Sequence, residues 1–376
     1  MTDTLTRQDL LRRALVGGAA LSMPGFLPSL ARGATDATGT LVFSNWPLYI
    51  DINEKTKRHP SLDLFTKKTG IKVKYIEDIN DNAEFFGKIQ AQLAGGKSTG
   101  RDIIVMTDNS PYPALLIKKG WVEKLDKKLL PNIKNLLPLQ QHPAWDPHRE
   151  YSLPWQSGMT GIAYNEKLTK PITSVDQLLT DPKLKGKVTV LEGFGDTVPV
   201  IALANGDNPG KITDAVFKRV LDKLQKAKKS GQIRQFTGND YAGMLAKGDI
   251  IAAIAWSGDV VQLQADNKHL KFVLPKSGGG IWTDNMLIPK GGNVELASTY
   301  MNFYYQPSVA AMVEDYVNYI CPVKGADKVL LKKDPSVAKN PLIFPPPSWQ
   351  KQLHQIDPTS LFNTDFKTQW QHLLGA

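Results

Sequence analysis

The sequence holds a single cysteine, Cys321, so no disulfide can close within the chain and no cysteine-based metal framework is available. Histidine is also sparse. His59, His142, His148, His269, His354 and His372 lie in polar surroundings without paired helical spacing, which argues against a metal site. The lone cysteine has no adjacent histidine, so a hydrolase built on a cysteine nucleophile finds no support. Beyond the amino-terminal segment no apolar run reaches the roughly 20 residues a membrane-spanning helix needs.

Two glycine-rich stretches imitate nucleotide sites without their essential parts. Gly193-Phe194-Gly195-Asp196-Thr197-Val198 follows a strand and opens a helix, but valine stands where a dinucleotide fingerprint has its third glycine. Gly206 to Thr213 has isoleucine before its threonine and follows no strand, so it reads as a turn and helix start capped by Thr213 or Asp214. No cofactor is implied.

The formal net charge is +10. Arg7, Arg12, Arg13 and Arg32 against Asp3 and Asp9 carry part of it, leaving +8 after residue 34. The remaining lysines are scattered over Lys218 to Lys229 and Lys324 to Lys333 with no interleaved arginine and aromatic residues, a solvated surface and not a nucleic-acid groove. The first arginines precede an apolar stretch from Ala14 to Ala31 broken by Pro24 and Pro28. Residues 1–34 therefore read as a secretory signal peptide, with twin-arginine character at Thr6 to Leu11 although glutamine replaces the second arginine. No cysteine follows to carry a lipid. The expected location is the periplasm.

With 41% hydrophobic and 22% charged residues over 376, the chain can build two domains with real cores. Gly39 to Phe43 reads as a strand, Leu62 to Lys68 as a helix and Ile71 to Tyr75 as an alternating strand. Asp102 to Met106 is the continuous apolar run of a parallel sheet interior. Tyr151 to Trp155 and Gly161 to Asn165 read as two strand pieces joined through Ser157 and Gly158, the first crossing between lobes. A second βαβ series follows, with strands at Lys187 to Leu191, Ile233 to Phe236, Ile250 to Ala255 and Leu270 to Leu274. Between them Phe217, Val220, Leu221 and Leu224 mark an amphipathic helix. The expected division is 35–157 with 285–322 in one lobe and 158–284 with 323–376 in the other.

Two stretches stand out: Ala255-Trp256-Ser257-Gly258-Asp259 and Gly280-Ile281-Trp282-Thr283-Asp284. Each sets an indole beside a carboxylate where an apolar run meets small residues, the setting of a strand end. Either one alone fits a core tryptophan and a turn-capping aspartate. Together they suit an organic cation, whose ammonium groups need carboxylates and whose methylenes and charge can lie on aromatic rings.

These stretches, with Phe43-Ser44-Asn45-Trp46-Pro47-Leu48-Tyr49, Lys67 to Val73, Tyr151 to Pro154, Thr160 to Asn165 and Pro275-Lys276 to Pro289, resemble the periplasmic spermidine/putrescine-binding proteins of polyamine ABC transporters from about Gly39 to Tyr319. The resemblance implies an α/β, two-lobed type II periplasmic-binding fold with the ligand in a cleft between lobes. It implies a non-enzymatic, monomeric protein whose partners are a polyamine and an inner-membrane permease. Trp46, with Tyr49 nearby, Trp256 and Trp282 fall on aromatic walls, and Asp259 and Asp284 on carboxylates that hold amines. Asp196 falls on an acid for the opposite amine, with a helix-cap role as the competing reading. Thr107 falls on a family hydroxyl, Asp108 is its neighbour, and Tyr319 is an aromatic near the cleft. Pro47 and Leu48 depart from the hydroxyl residue and acid that relatives commonly carry, which removes one possible amine partner. Another cationic or zwitterionic solute is the alternative ligand, and an exported hydrolase or lyase using Asp196 or Asp284 is the alternative function.

Overall fold

The computed structural model describes residues 39–53 and 55–375, so the expected signal peptide lies outside the described residues. The strands are β1 (Thr40–Asn45), β2 (Lys72–Glu77), β3 (Ile103–Thr107), β4 (Ser152–Asn165), β5 (Val188–Leu191), β6 (Ile233–Thr237), β7 (Ala252–Trp256), β8 (Leu270–Val273), β9 (Gly279–Leu287) and β10 (Leu353–His354). They are hydrogen-bonded in the order β2-β1-β3-β9-β4-β7-β5-β6, with β8 on β4 and β10 on β9.

The outer parts of this ladder are two βαβ units. β1 runs parallel to β2 and β3, connected through helices Pro60–Thr69 and Asn82–Ala94. β5 runs parallel to β6 and β7. Helix Asp214–Lys229 buries Phe217, Val220, Leu221 and Leu224, and Thr213 caps it by accepting the Val216 N–H at 3.3 Å. This is the face and cap its sequence periodicity specifies, and such a cap contributes about 1 kcal/mol.

Two hydrophobic cores result. One gathers Phe43, Phe65, Ile104, Leu153 and Tyr300, together with Ala326 and Leu330 from the tail. The other gathers Ile162, Val190, Phe217, Leu224 and Ile254, and the terminal helix Thr364–Leu374 adds Phe366, Trp370 and Leu373 to it. Each fully buried side chain of this size contributes roughly 1.5 to 3 kcal/mol of transfer free energy.

β4 and β9 join the cores. Ser152 and Leu153 pair with Leu287 and Met286 on one side, while Thr160 to Tyr164 pair with Trp256 to Ala252 on the other. The two strand pieces expected around Ser157 and Gly158 are therefore one strand of 14 residues. Small residues do not break it because β9 supplies partners straight through the middle, Gln156 to Asp284, Ser157 to Thr283 and Gly158 to Trp282. For the same reason Trp282 and Asp284 sit inside a strand and not at its end, whereas Trp256 does close β7 before helix Ser257–Asp266. A third segment passes here: Ser157 and Ile320 exchange backbone hydrogen bonds of 3.1 and 2.8 Å. Beneath it Glu314 is wholly buried beside Gln156, Tyr319 and Cys321, and burial pushes its carboxyl well above the usual range.

Candidate functional site

A cleft of about 320 Å³ opens beside these crossing segments. Side chains are delivered to it by the carboxyl ends of β1, β3 and β7, the middle of β9 and the first turn of helix Phe194–Ala204. Strand ends of an open α/β sheet present loops that no neighbouring strand covers, which leaves their side chains available.

Asp284 is the best-anchored acid. Tyr49 donates its hydroxyl to one oxygen at 2.5 Å and Thr107 donates to the other at 2.6 Å. Thr107 is itself held by Asn82, whose side-chain oxygen accepts the Thr107 N–H at 3.0 Å and whose amide donates to the hydroxyl at 3.1 Å. Trp282 lies two residues before Asp284 on the same strand, so the period of two places both on one side of the sheet. Gly158 stands directly opposite Trp282 in β4. Any side chain at 158 would fall inside the indole, so the close packing of that ring requires glycine there. Tyr319 packs edge-on against both Trp282 and Tyr49, with centroids at 5.8 and 5.4 Å.

Asp196 belongs to the other lobe. Its oxygen accepts the Trp256 indole N–H at 2.7 Å, the Asn109 amide at 3.1 Å and the Thr160 hydroxyl at 3.3 Å. It does not cap its helix, which starts at Phe194 with Gly193 in the cap position. Burial raises its carboxyl to about 6, partly opposed by the three donors. A lone acid so placed is poised to accept a cation, because a positive charge brought within contact would relieve the cost of ionising it.

The cleft brings together eight of the ten residues singled out in the sequence: Trp46, Tyr49, Thr107, Asp196, Trp256, Trp282, Asp284 and Tyr319. Asp259 stands just behind. It accepts from the Tyr241 hydroxyl at 2.8 Å and the Asn239 amide at 3.2 Å, while that hydroxyl takes the Trp256 N–H at 3.0 Å. Asp108 turns away from the cleft to accept the Thr283 N–H at 2.7 Å, and it lines a separate cavity with Trp145 and Gln355. Asn80, Asp81, Asn82, Asn109 and Asn239, none of them among those ten, also line the cleft. The polar run Asp78 to Asn82 just after β2 was the available signal, since it marks another strand end.

Among the described residues no lysine, arginine or histidine lines the cleft, while Asp81, Asp196 and Asp284 do. The indole nitrogens of Trp46 and Trp282 are buried, so these rings offer carbon to the cleft. The chemistry on display is anionic and aromatic, matched to a cation with apolar spacers.

Residues 61–345 match the model of the bacterial extracellular solute-binding proteins. The chain belongs to that family. A putrescine-binding periplasmic protein of Pseudomonas aeruginosa is 30% identical over 355 residues, covering 89% of this chain and 91% of the relative. The spermidine/putrescine-binding periplasmic protein of Escherichia coli is 28% identical over 337 residues, with 89% of each chain covered. Among solved structures, a spermidine/putrescine ABC transporter substrate-binding protein of Streptococcus pneumoniae superposes with a TM-score of 0.72 at 23% identity, covering 88% of this chain and 99% of the other. This solute-binding protein thus has the two-lobed α/β fold expected from its sequence, with the cleft between the lobes.

Proposed function

We propose that this solute-binding protein captures a linear polyamine, putrescine or spermidine, in the interlobe cleft and delivers it to an inner-membrane ABC permease. The observation that carries this reading is the pairing of Asp284 on one side and Asp196 on the other across tryptophan-lined space without a lining cation. One ammonium group is held by Asp284, another by Asp196, and the methylenes lie along Trp46, Trp256 and Trp282, each cation–π contact contributing roughly 0.5 to 2 kcal/mol. Asp259 acts through Tyr241 and Asn239 to hold Trp256 in place. Tyr49 and Thr107 orient Asp284, and Tyr319 backs Trp282. Asp108 takes a backbone role at β9.

The protein works as a monomer in the periplasm, exported by the segment 1–34, and it transforms nothing. We assign residues 39–157 and 285–338 to one lobe and 158–284 with the terminal segment 347–375 to the other. Hinge closure through the crossing segments brings Asn109 to Asp196. The test is isothermal titration of the exported protein, freed of bound solutes by unfolding and refolding, with putrescine and spermidine. Saturable one-to-one binding, lost in Trp256→Ala, with the amine recovered unchanged, is the expected result. A folded protein that binds neither amine would overturn the reading.

A further inference from the structure

Asp81 is the cleft carboxylate that no sequence motif pointed to. It caps helix Asn82–Ala94, accepting the Glu84 N–H at 2.8 Å through one oxygen. Its position is fixed twice, by that cap and by the adjacent Asn82, which is locked to Thr107 and through it to Asp284. The second oxygen of Asp81 has no hydrogen-bond or ion-pair partner among the described residues, and the side chain is exposed on the cleft wall. Asp284 is different, since two hydroxyls already occupy its oxygens.

The cleft therefore carries one carboxylate more than the two ends of a diamine require. Three lining acids with no lining base balance a trivalent cation. Leu48, between Trp46 and Tyr49 in the chain, has no charge to offer; its N–H is tied to Glu77 at 2.9 Å.

Resting on the polyamine reading above, we propose that Asp81 is a specificity-determining residue that holds the additional ammonium of a triamine and selects triamines over diamines. The replacement Asp81→Asn tests this without disturbing the fold, because asparagine caps a helix as well as aspartate and serine nearly so. Titration of the refolded protein with spermidine and putrescine should show Asp81→Asn and Asp81→Ser each losing about fivefold in spermidine affinity, the size of a partly exposed ion pair. Putrescine affinity should stay within about twofold of wild type, so that the preference collapses while the thermal midpoint is retained. Equal losses for both amines, unchanged affinities for both, or a wild type that binds putrescine but not spermidine would each overturn the assignment. A wild type that binds neither amine would instead bring down the polyamine reading itself, and this assignment with it.

Discussion

The side-chain amide of Asn109, at the end of β3 in one lobe, donates to the carboxylate of Asp196 in the other at 3.1 Å. Next to it the Asn109 carbonyl oxygen lies so close to Gly195 that a Cβ there would overlap it. The lobes touch at a point where only glycine fits. Gly195→Ala should hold the cleft open and weaken polyamine binding by on the order of tenfold, about 1.4 kcal/mol. Titration gives the affinity, and small-angle scattering with saturating ligand should show the variant more extended than wild type.

Asp196 makes binding dependent on pH. Its carboxyl is raised to about 6 by burial, and only the ionised form pairs with an ammonium. Affinity should therefore be level above about pH 7 and fall by up to tenfold per unit below about 6, with protons released on binding near that value. The stability of the ligand-free protein runs the other way. A folded-state value above the unfolded one favours folding below about pH 4, and this contribution is lost as pH rises through 6. Asp196→Asn should abolish the dependence of binding and reduce that of stability, to which Asp108, also raised to about 6 by burial, contributes.

Asp284→Asn puts an amide where two hydroxyls now donate, so one donor meets another and the charge is gone. The expected loss is about 3 kcal/mol of binding, more than a hundredfold, for diamine and triamine alike. Circular dichroism should show the fold retained. Undiminished affinity would remove Asp284 from the site.

Leu48 adopts a left-handed backbone conformation with φ of 57°, which branched and bulky side chains resist and asparagine tolerates. Leu48→Asn should raise unfolding stability by about 1 kcal/mol in denaturant titrations.

Much of the architecture was legible in the chain itself. Alternating and continuous apolar runs located the strands of both βαβ units, and the spacing of Phe217, Val220, Leu221 and Leu224 specified a helix face that is indeed buried. Ser157 and Gly158 misled as a break, because continuity of β4 depends on a partner strand more than a hundred residues later. Local propensity carries no information about that partner.

The site divided along the same line. Indole and carboxylate side by side at Trp256 and Trp282 were visible as chemistry, and adjacency in sequence was enough to suggest a cation. Whether a given acid faces the ligand was not. Thr107 ends β3 and Asp108 opens the turn after it, so one reaches Asp284 and the other the Thr283 backbone. Asp81 drew no notice in the sequence, and only folding set its loop beside Thr107. Sequence by itself determined which residue types and periodicities the protein has, and with them its family and fold. The tertiary structure decided which carboxylates converge, because that depends on strand pairing and lobe contact between residues as far apart as Tyr49 and Asp284.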